Sequence, residues 1–289
     1  MIYKFCDIMK AQVIIDHFKK IGTWVNWDKS VDQILFGDPE TEVHGIAVSW
    51  MPTFPNLEKA VDEGCNIFIT HEALFAAKID ENGKLIDCPI IKDNHARWIA
   101  GKRILEKNDI WIKKREWLEE KNIVVIRCHD FWDSYPEIGV HGAWAKWLGF
   151  TKSPIKVDNY YELHDIQEKT LEELCRKLLE KIKPLGQESI QVIGDLNKKI
   201  SRITLGTGAA SNYRDMHVFG GEAIVLADDG TLLWESGQWA IDTGIPLIIV
   251  NHSLSEEPGM KSLAKYLKEV YPLIPIVHIP VGCIYQSIF

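Results

Sequence analysis

The chain is short of several features that would name a function class at once. Its 289 residues include six cysteines, Cys6, Cys65, Cys88, Cys128, Cys175 and Cys283, and no two of them form a CxxC pair. That removes the pattern by which redox and zinc-ribbon proteins are read and leaves buried free thiols in a reducing compartment as the expectation. No apolar run approaches the roughly 20 residues that span a bilayer, so no membrane partner is expected. Positive charge is scarce as well. Lys and Arg number 33 against 41 Asp and Glu, and the formal charge of −8 argues against nucleic acid as a partner held by bulk electrostatics. The first residues, Met1-Ile-Tyr-Lys-Phe-Cys, lack a signal peptide's long apolar region and small-residue cleavage site, so a cytoplasmic location is expected. Repeats and low-complexity segments are missing too. What remains is the composition of an ordinary globular enzyme, 46% hydrophobic and 26% charged, with a length that suits two modest cores.

Against that plain background one layout recurs. Ile67, Phe68 and Ile69 form a short apolar run that ends in His71 and Glu72. A helix-like stretch with Leu57, Ala60 and Val61 precedes it and stops at Gly64, so the chain reads helix, glycine, buried strand, polar end. In open α/β sheets ligands gather beyond the carboxyl ends of the strands. Ile123-Val-Val-Ile126 runs in the same way into Cys128, His129, Asp130 and Asp133. Ile245-Pro-Leu-Ile-Ile-Val250 runs into His252 and Glu256. His129 and Asp133 are four apart, as are His252 and Glu256, a separation that lets imidazole and carboxylate point at one centre. His71 and Glu72 are adjacent and on an extended backbone face opposite ways, so each can serve a different ion. Three imidazoles and three carboxylates suit Zn, Fe, Mn or Ni, and bridging carboxylates favour two ions about 3.5–4 Å apart. On the residues alone, a two-ion centre and a set of polar strand-end residues stand as equal alternatives. Cys128 alternates with Ile126 and Asp130 as strand positions do, which favours a structural thiol over a ligand or nucleophile.

The rest of the chain reads as an α/β protein. A helix over 9–21, a strand over 43–50, the helix from Leu57 and the strand ending at His71 make a crossover unit with a parallel sheet. Helices are expected over 94–107 and 111–120, with Trp98, Trp111 and Trp117 packing in a core. Trp98, Trp111, Trp132 and Arg127 are also candidates to line a pocket. A short helix is expected over 139–150 and an edge strand over 157–163. Thr170-Leu-Glu-Glu is a capping-box pattern that opens a helix to Ile182. Strands follow over 190–193 and 203–205. Gly206-Thr-Gly208-Ala-Ala matches neither GxGxxG nor GxxxxGK[ST] and reads as a glycine-rich turn. A strand over 222–226, a turn at 228–230, a helix over 233–243 and the strand before His252 come next. A helix after Pro258 and a strand over 277–280 complete the series. The expected organisation is a metal-binding α/β domain of residues 1–155 together with 236–289, and a smaller α/β domain, 156–235, inserted between its halves.

Over nearly its full length the chain resembles the NIF3-like proteins, the DUF34 or dinuclear metal centre family. The resemblance rests on Phe36-Gly-Asp-Pro-Glu-Thr-Glu-Val, on Leu57 to Phe75 with Ile-Thr-His-Glu-Ala-Leu-Phe, on His129 to Asp133, on Gly206-Thr-Gly-Ala and on Asn251-His-Ser-Leu-Ser-Glu256. It implies a NIF3-like fold of two α/β domains and assembly as a homohexamer. It also implies His71 and His129 on a first metal ion, His252 on a second, and Asp133 and Glu256 between them. Glu72 departs from the pattern, because the family has a second histidine there. The family's Thr-Gly-Glu element has no clean counterpart near Ala227-Asp-Asp. Many members carry a GTP cyclohydrolase 1 type 2-like label. The function expected is therefore a metal-dependent hydrolase using a metal-bound water on a small molecule, with one or two Zn, Fe, Mn or Ni ions per chain. Glu72, if it is not a ligand, is the expected general base. The alternative is a non-catalytic metal-binding scaffold, metallochaperone or regulatory protein.

Overall fold

The computed structural model describes residues 8–75, 78–79, 85–87, 110–158, 160–232 and 234–288. The helix expected over 94–107 with Trp98, and Cys6 and Cys88, lie outside these residues.

In chain order the first elements are α1 (Ala11–Ile21), β1 (Ile34–Phe36), β2 (Ile46–Ser49), α2 (Phe54–Asp62), β3 (Ile67–Thr70) and the two short strands β4 (Lys78–Ile79) and β5 (Leu85–Asp87). Then come α3 (Ile110–Glu120), β6 (Val124–Arg127), the four-residue α4 (Asp130–Asp133), α5 (Val140–Leu148), β7 (Lys156–Val157), β8 (Tyr161–Thr170), α6 (Leu171–Ile182) and β9 (Gln191–Ile193). The last are β10 (Lys199–Gly206), α7 (Tyr213–Phe219), β11 (Ala223–Ala227), α8 (Glu235–Thr243), β12 (Leu247–Val250), α9 (His252–Val270) and β13 (Ile276–His278).

Two sheets frame the molecule. The first runs β1-β6-β3-β2-β13, parallel except for the edge strand β1. Every residue of β2 and β3 is buried, as expected of parallel strands covered on both faces. Helix α1 lays Ala11, Ile14, Ile15 and Phe18 on the core, the face its three-and-four spacing predicts. The second sheet runs β7-β8-β10-β11-β12-β9, with β10, β11 and β12 parallel. The capping box at Thr170 forms, with Glu173 N–H on the Thr170 hydroxyl and the Glu173 carboxylate on the Thr170 N–H, and α6 buries Leu171, Leu174 and Leu178.

Three features differ from the sequence reading. The strand expected over 157–163 is a pair, with β7 on the edge and β8 running on to Thr170 against β10. Helix α9 does not begin after Pro258 but runs through it from His252. Residues 253–260 are all buried, and Gly259 packs on the backbone of Val140, where a Cβ would come within 2.9 Å of the Val140 Cα. That packing against α5 overrides the lost proline N–H. Finally β12, within the stretch expected to accompany the first unit, pairs with β11 and β9 of the second sheet. By sheet membership the chain leaves the first sheet after β6 and returns to it only through α9 and β13.

Candidate metal centre

Sheet register puts the polar strand ends level with one another. In the first sheet Thr70 pairs with Arg127, so His71 and Cys128 leave adjacent strands at the same height and His129 follows. The rings of His71 and His129 stack with centroids 4.3 Å apart and planes 16° from parallel. In the second sheet Ala227 pairs with Val250, so Asp228 and Asn251 leave together, then Asp229 and His252. The Asp229 carboxylate accepts from His252 Nδ1 at 2.6 Å, and Asp228 accepts the His252 N–H at 3.0 Å, capping α9.

One more turn delivers the carboxylates. His129 is the N-cap of α4, and Asp133, at its end, brings Oδ2 to 3.1 Å from His129 Nδ1. His252 opens α9, and Glu256 one turn on brings Oε2 to 3.1 Å from His252 Nε2. The two sheets meet at His71. Its Nε2 lies 3.1 Å from Glu256 Oε2 and 3.5 Å from Asp133 Oδ1. Glu72 turns the other way, as its position beside His71 requires, with Oε1 3.8 Å from His252 Nε2 and Oε2 3.5 Å from an Arg127 Nη. The fold thus gathers all six residues singled out in the sequence into one cluster. Two donor groups converge within 4.8 Å: His71, His129 and Asp133, and His71, Glu72 and Glu256.

The electrostatics of the cluster are those of a site that asks for a cation. His71, Asp133 and Glu256 are buried. Burial opposes a charged ring at His71, yet the Glu256 and Asp133 carboxylates outweigh it and lift its pKa to about 9. Burial opposes charge at His252 too, and Glu256 and Asp229 lift it to about 11. Burial pushes Asp133 up to about 6 against the pull of His71 and His129. Burial also works against a charged Glu256, but His71 and His252 hold it well below the usual carboxylate range. Two enclosed carboxylates therefore draw protons onto the rings around them. His71 Nε2 is fully enclosed, and both carboxylates approach it without a well-aligned hydrogen bond. Without metal the two carboxylates hold a proton on this ring, and a divalent ion among His71, Asp133 and Glu256 would take that proton's place. The donor set fits a metal.

Supporting contacts come from residues outside these six. The Trp50 indole N–H donates to Glu256 Oε2 at 2.7 Å across a separation of 206 residues. Asp32, buried just before β1, accepts the backbone N–H groups of His129 at 2.5 Å, Asp130 at 3.2 Å and Phe131 at 2.8 Å, which fixes the first turn of α4. Gly208 sits at φ +61°, and a methyl there would overlap Glu256 Oε1 and approach His252 Nε2 to 3.1 Å. The Gly206–Gly208 turn is thus a wall of the cluster, and Gly208 needs both the left-handed backbone and the missing side chain. Asp229 had a signal, because it stands at the carboxyl end of a buried strand like the others. Asp32 and Trp50 had none, since their partners are set by tertiary packing.

Other candidates from the sequence resolve differently. Trp132 is fully buried and donates to Gly259 O, and Trp111 packs on Phe75, so both are core. Cys128 is buried and free, with its thiol pushed well above its ordinary range by burial and by Asp32, Asp133 and Asp130, so it is structural. A cavity of about 720 Å³ lies elsewhere, lined by His141, Glu162, His164, Lys146 and Lys152 among others, and none of the six cluster residues lines it.

Known proteins share the fold. Curated relatives named GTP cyclohydrolase 1 type 2 homolog are 24% identical, one from Clostridium acetobutylicum over 88% of this chain and 87% of its own, one from Chlamydia pneumoniae over 92% and 96%. The crystal structure of the Staphylococcus aureus hypothetical protein SA1388 superposes with a TM-score of 0.70 at 20% identity, covering 98% of this chain and all of that one. Reduced HcgD from Methanocaldococcus jannaschii gives 0.67 at 18% identity over 94% of this chain and 98% of its own. No helix among the described residues is long and apolar enough to cross a membrane. The model of the Duf34/NIF3 (NGG1p interacting factor 3) family matches residues 94–281, about two thirds of the chain, and the protein belongs to that family.

Proposed function

We propose that the cluster is a two-position divalent metal centre and that the protein is a metal-dependent hydrolase acting on a small molecule such as an amidine, ester or phosphoester. The observation that carries the reading is His71 Nε2, enclosed and facing two buried carboxylates, Glu256 and Asp133, at 3.1 and 3.5 Å. His71, His129 and Asp133 form the first position. Glu72, His252 and Glu256 form the second. Glu256 is the bridge, since its Oε2 lies 3.1 Å from both His71 and His252. Asp133 directs its two oxygens at His71 and His129, so it belongs to the first position rather than between the two. When bound, the ions supply Lewis-acid activation of a water near neutral pH.

The chain's own residues set the geometry. Asp229 holds His252 in the tautomer with a proton on Nδ1, which leaves Nε2 for an ion. Trp50 fixes the Glu256 carboxylate, and Asp32 fixes the turn that carries His129 and Asp133. Of the six cluster residues Glu72 has the most exposed side chain, at 30%. That places it to take a proton from the attacking water if it is not itself a ligand. A cytoplasmic homohexamer, as in the resemblance, is part of the same proposal.

The observation that favours the non-catalytic alternative is that the described cavity of about 720 Å³ does not open on these residues. The test is metal content on protein purified without chelator, followed by a hydrolase screen with the wild type and Glu72→Gln. Hydrolysis that depends on the metal and falls in Glu72→Gln supports the enzyme. Full metal content with no hydrolysis on any ester, phosphoester or amidine supports the scaffold.

A further inference from the structure

The two positions differ in their chemistry. The first offers two imidazoles and one carboxylate, the second one imidazole and two carboxylates. Imidazole suits zinc and nickel, while carboxylate suits manganese and magnesium. They differ also in their neighbours. Arg127, the last residue of β6, donates from Nε to the carbonyl of His71 at 3.0 Å and brings an Nη to 3.5 Å from Glu72 Oε2. Among the described residues it is the one Lys or Arg ion-paired to any of the six cluster residues. The register of β3 on β6 makes this contact, because Thr70 stands opposite Arg127 and Glu72 follows two residues later. The guanidinium is therefore anchored by the backbone and does not depend on Glu72 to stay there. Glu72 is stretched between two claims, one oxygen toward Arg127 and the other toward His252.

We propose that Arg127 is a metal-selectivity residue that competes with the second ion for Glu72. A fixed positive charge beside the second position repels a cation and pairs with one oxygen of Glu72. The first position then holds a borderline ion such as Zn²⁺ tightly, and the second holds a harder ion such as Mn²⁺ loosely and exchangeably. The centre is mixed in its metals and its second ion is conditional. This inference rests on the metal-centre reading above and goes beyond it in assigning unequal positions and a cause.

The experiment uses the full chain, stripped with chelator, loaded with one equivalent of Zn²⁺ and titrated with Mn²⁺ while free Mn²⁺ is followed by its solution EPR signal. In the wild type, Zn²⁺ survives dialysis and a single Mn²⁺ does not. Arg127→Gln keeps an N–H donor for the His71 carbonyl and removes the charge. It tightens Mn²⁺ by about tenfold and leaves Zn²⁺ retention unchanged. Glu72→Gln loses the Mn²⁺ and keeps the Zn²⁺, and adding Arg127→Gln to it gains less than the tenfold seen in the wild-type background. Mn²⁺ binding that is unchanged or weaker in Arg127→Gln, with Zn²⁺ retained, overturns the role of Arg127 while the metal centre stands. If Arg127→Gln does not fold, Mn²⁺ retained by Glu72→Gln overturns it instead. Failure of the wild type to retain any Zn²⁺ overturns the metal-centre reading and this inference with it.

Discussion

Two clusters of histidine and carboxylate among the described residues are built to opposite ends. In one, Glu162 on β8 accepts from His141 Nδ1 on one oxygen and from His164 Nε2 on the other, both at 2.8 Å. Burial works against its charge, but the two rings hold its pKa at about 2. Every oxygen there has its proton donor, and the cluster ties α5 to β8. In the other, the Glu256 and Asp133 carboxylates converge on a single buried nitrogen, His71 Nε2, at 3.1 and 3.5 Å. Neighbouring histidines and carboxylates alone therefore say little about metal. Two carboxylates converging on one buried imidazole nitrogen, each with a further imidazole beside it, say much more.

The comparison breaks most sharply at His71. His71→Ala is expected to weaken divalent-metal binding by more than about 100-fold, beyond what the loss of a supporting residue produces, as measured by metal competition with a chromophoric chelator. Glu162→Gln should leave metal binding unchanged in the same assay. Next in size is Asp229→Asn, which frees the His252 ring and should cost about 10–100-fold in metal affinity with little change in stability. Metal affinity should also rise with pH. The rings of His71 and His252, lifted to about 9 and 11, are protonated at pH 7 without metal and must be neutral to ligate, so binding releases protons. Calorimetry in buffers of different ionisation enthalpy counts those protons, and a pH-independent affinity between 6 and 9 would count against the assignment.

Smaller effects fall on stability. Gly208→Ala forces a side chain into a left-handed turn against Glu256, and about 1–3 kcal/mol of unfolding free energy should be lost together with part of the metal affinity. Glu162→Gln should cost about 1–3 kcal/mol in urea unfolding through one unsatisfied ring, with metal content intact. Glu162 also sets an acid limit. Its pKa falls from an ordinary 4.5 to about 2 on folding, so its stabilisation is complete above pH 4.5 and drains away between 4.5 and 2. Acid unfolding of Glu162→Gln should be shallower through that window than that of the wild type.

How much of this was legible depended on whether a residue's role is local. His71, His129 and His252 each follow an apolar run, and Asp133 and Glu256 follow their histidines at helical spacing, so one rule found the ligand candidates. The alternation of α/β elements was equally local. The membership of β12 was not, because a buried strand before a histidine looks the same whichever sheet it joins. The sheets meet at the cluster from both sides, which the sequence did not show. Asp32 and Trp50 act across 97 and 206 residues, and nothing in their neighbours announces it. Pro258 misled for a related reason, since the burial that keeps α9 continuous comes from α5.

The most direct test is elemental analysis of the wild type, His71→Ala and Glu162→Gln, all purified without chelator and with folding checked by circular dichroism. The account predicts bound divalent metal in the wild type and in Glu162→Gln and its loss in His71→Ala. Wild-type metal content in a folded His71→Ala, or none in the wild type, would contradict it.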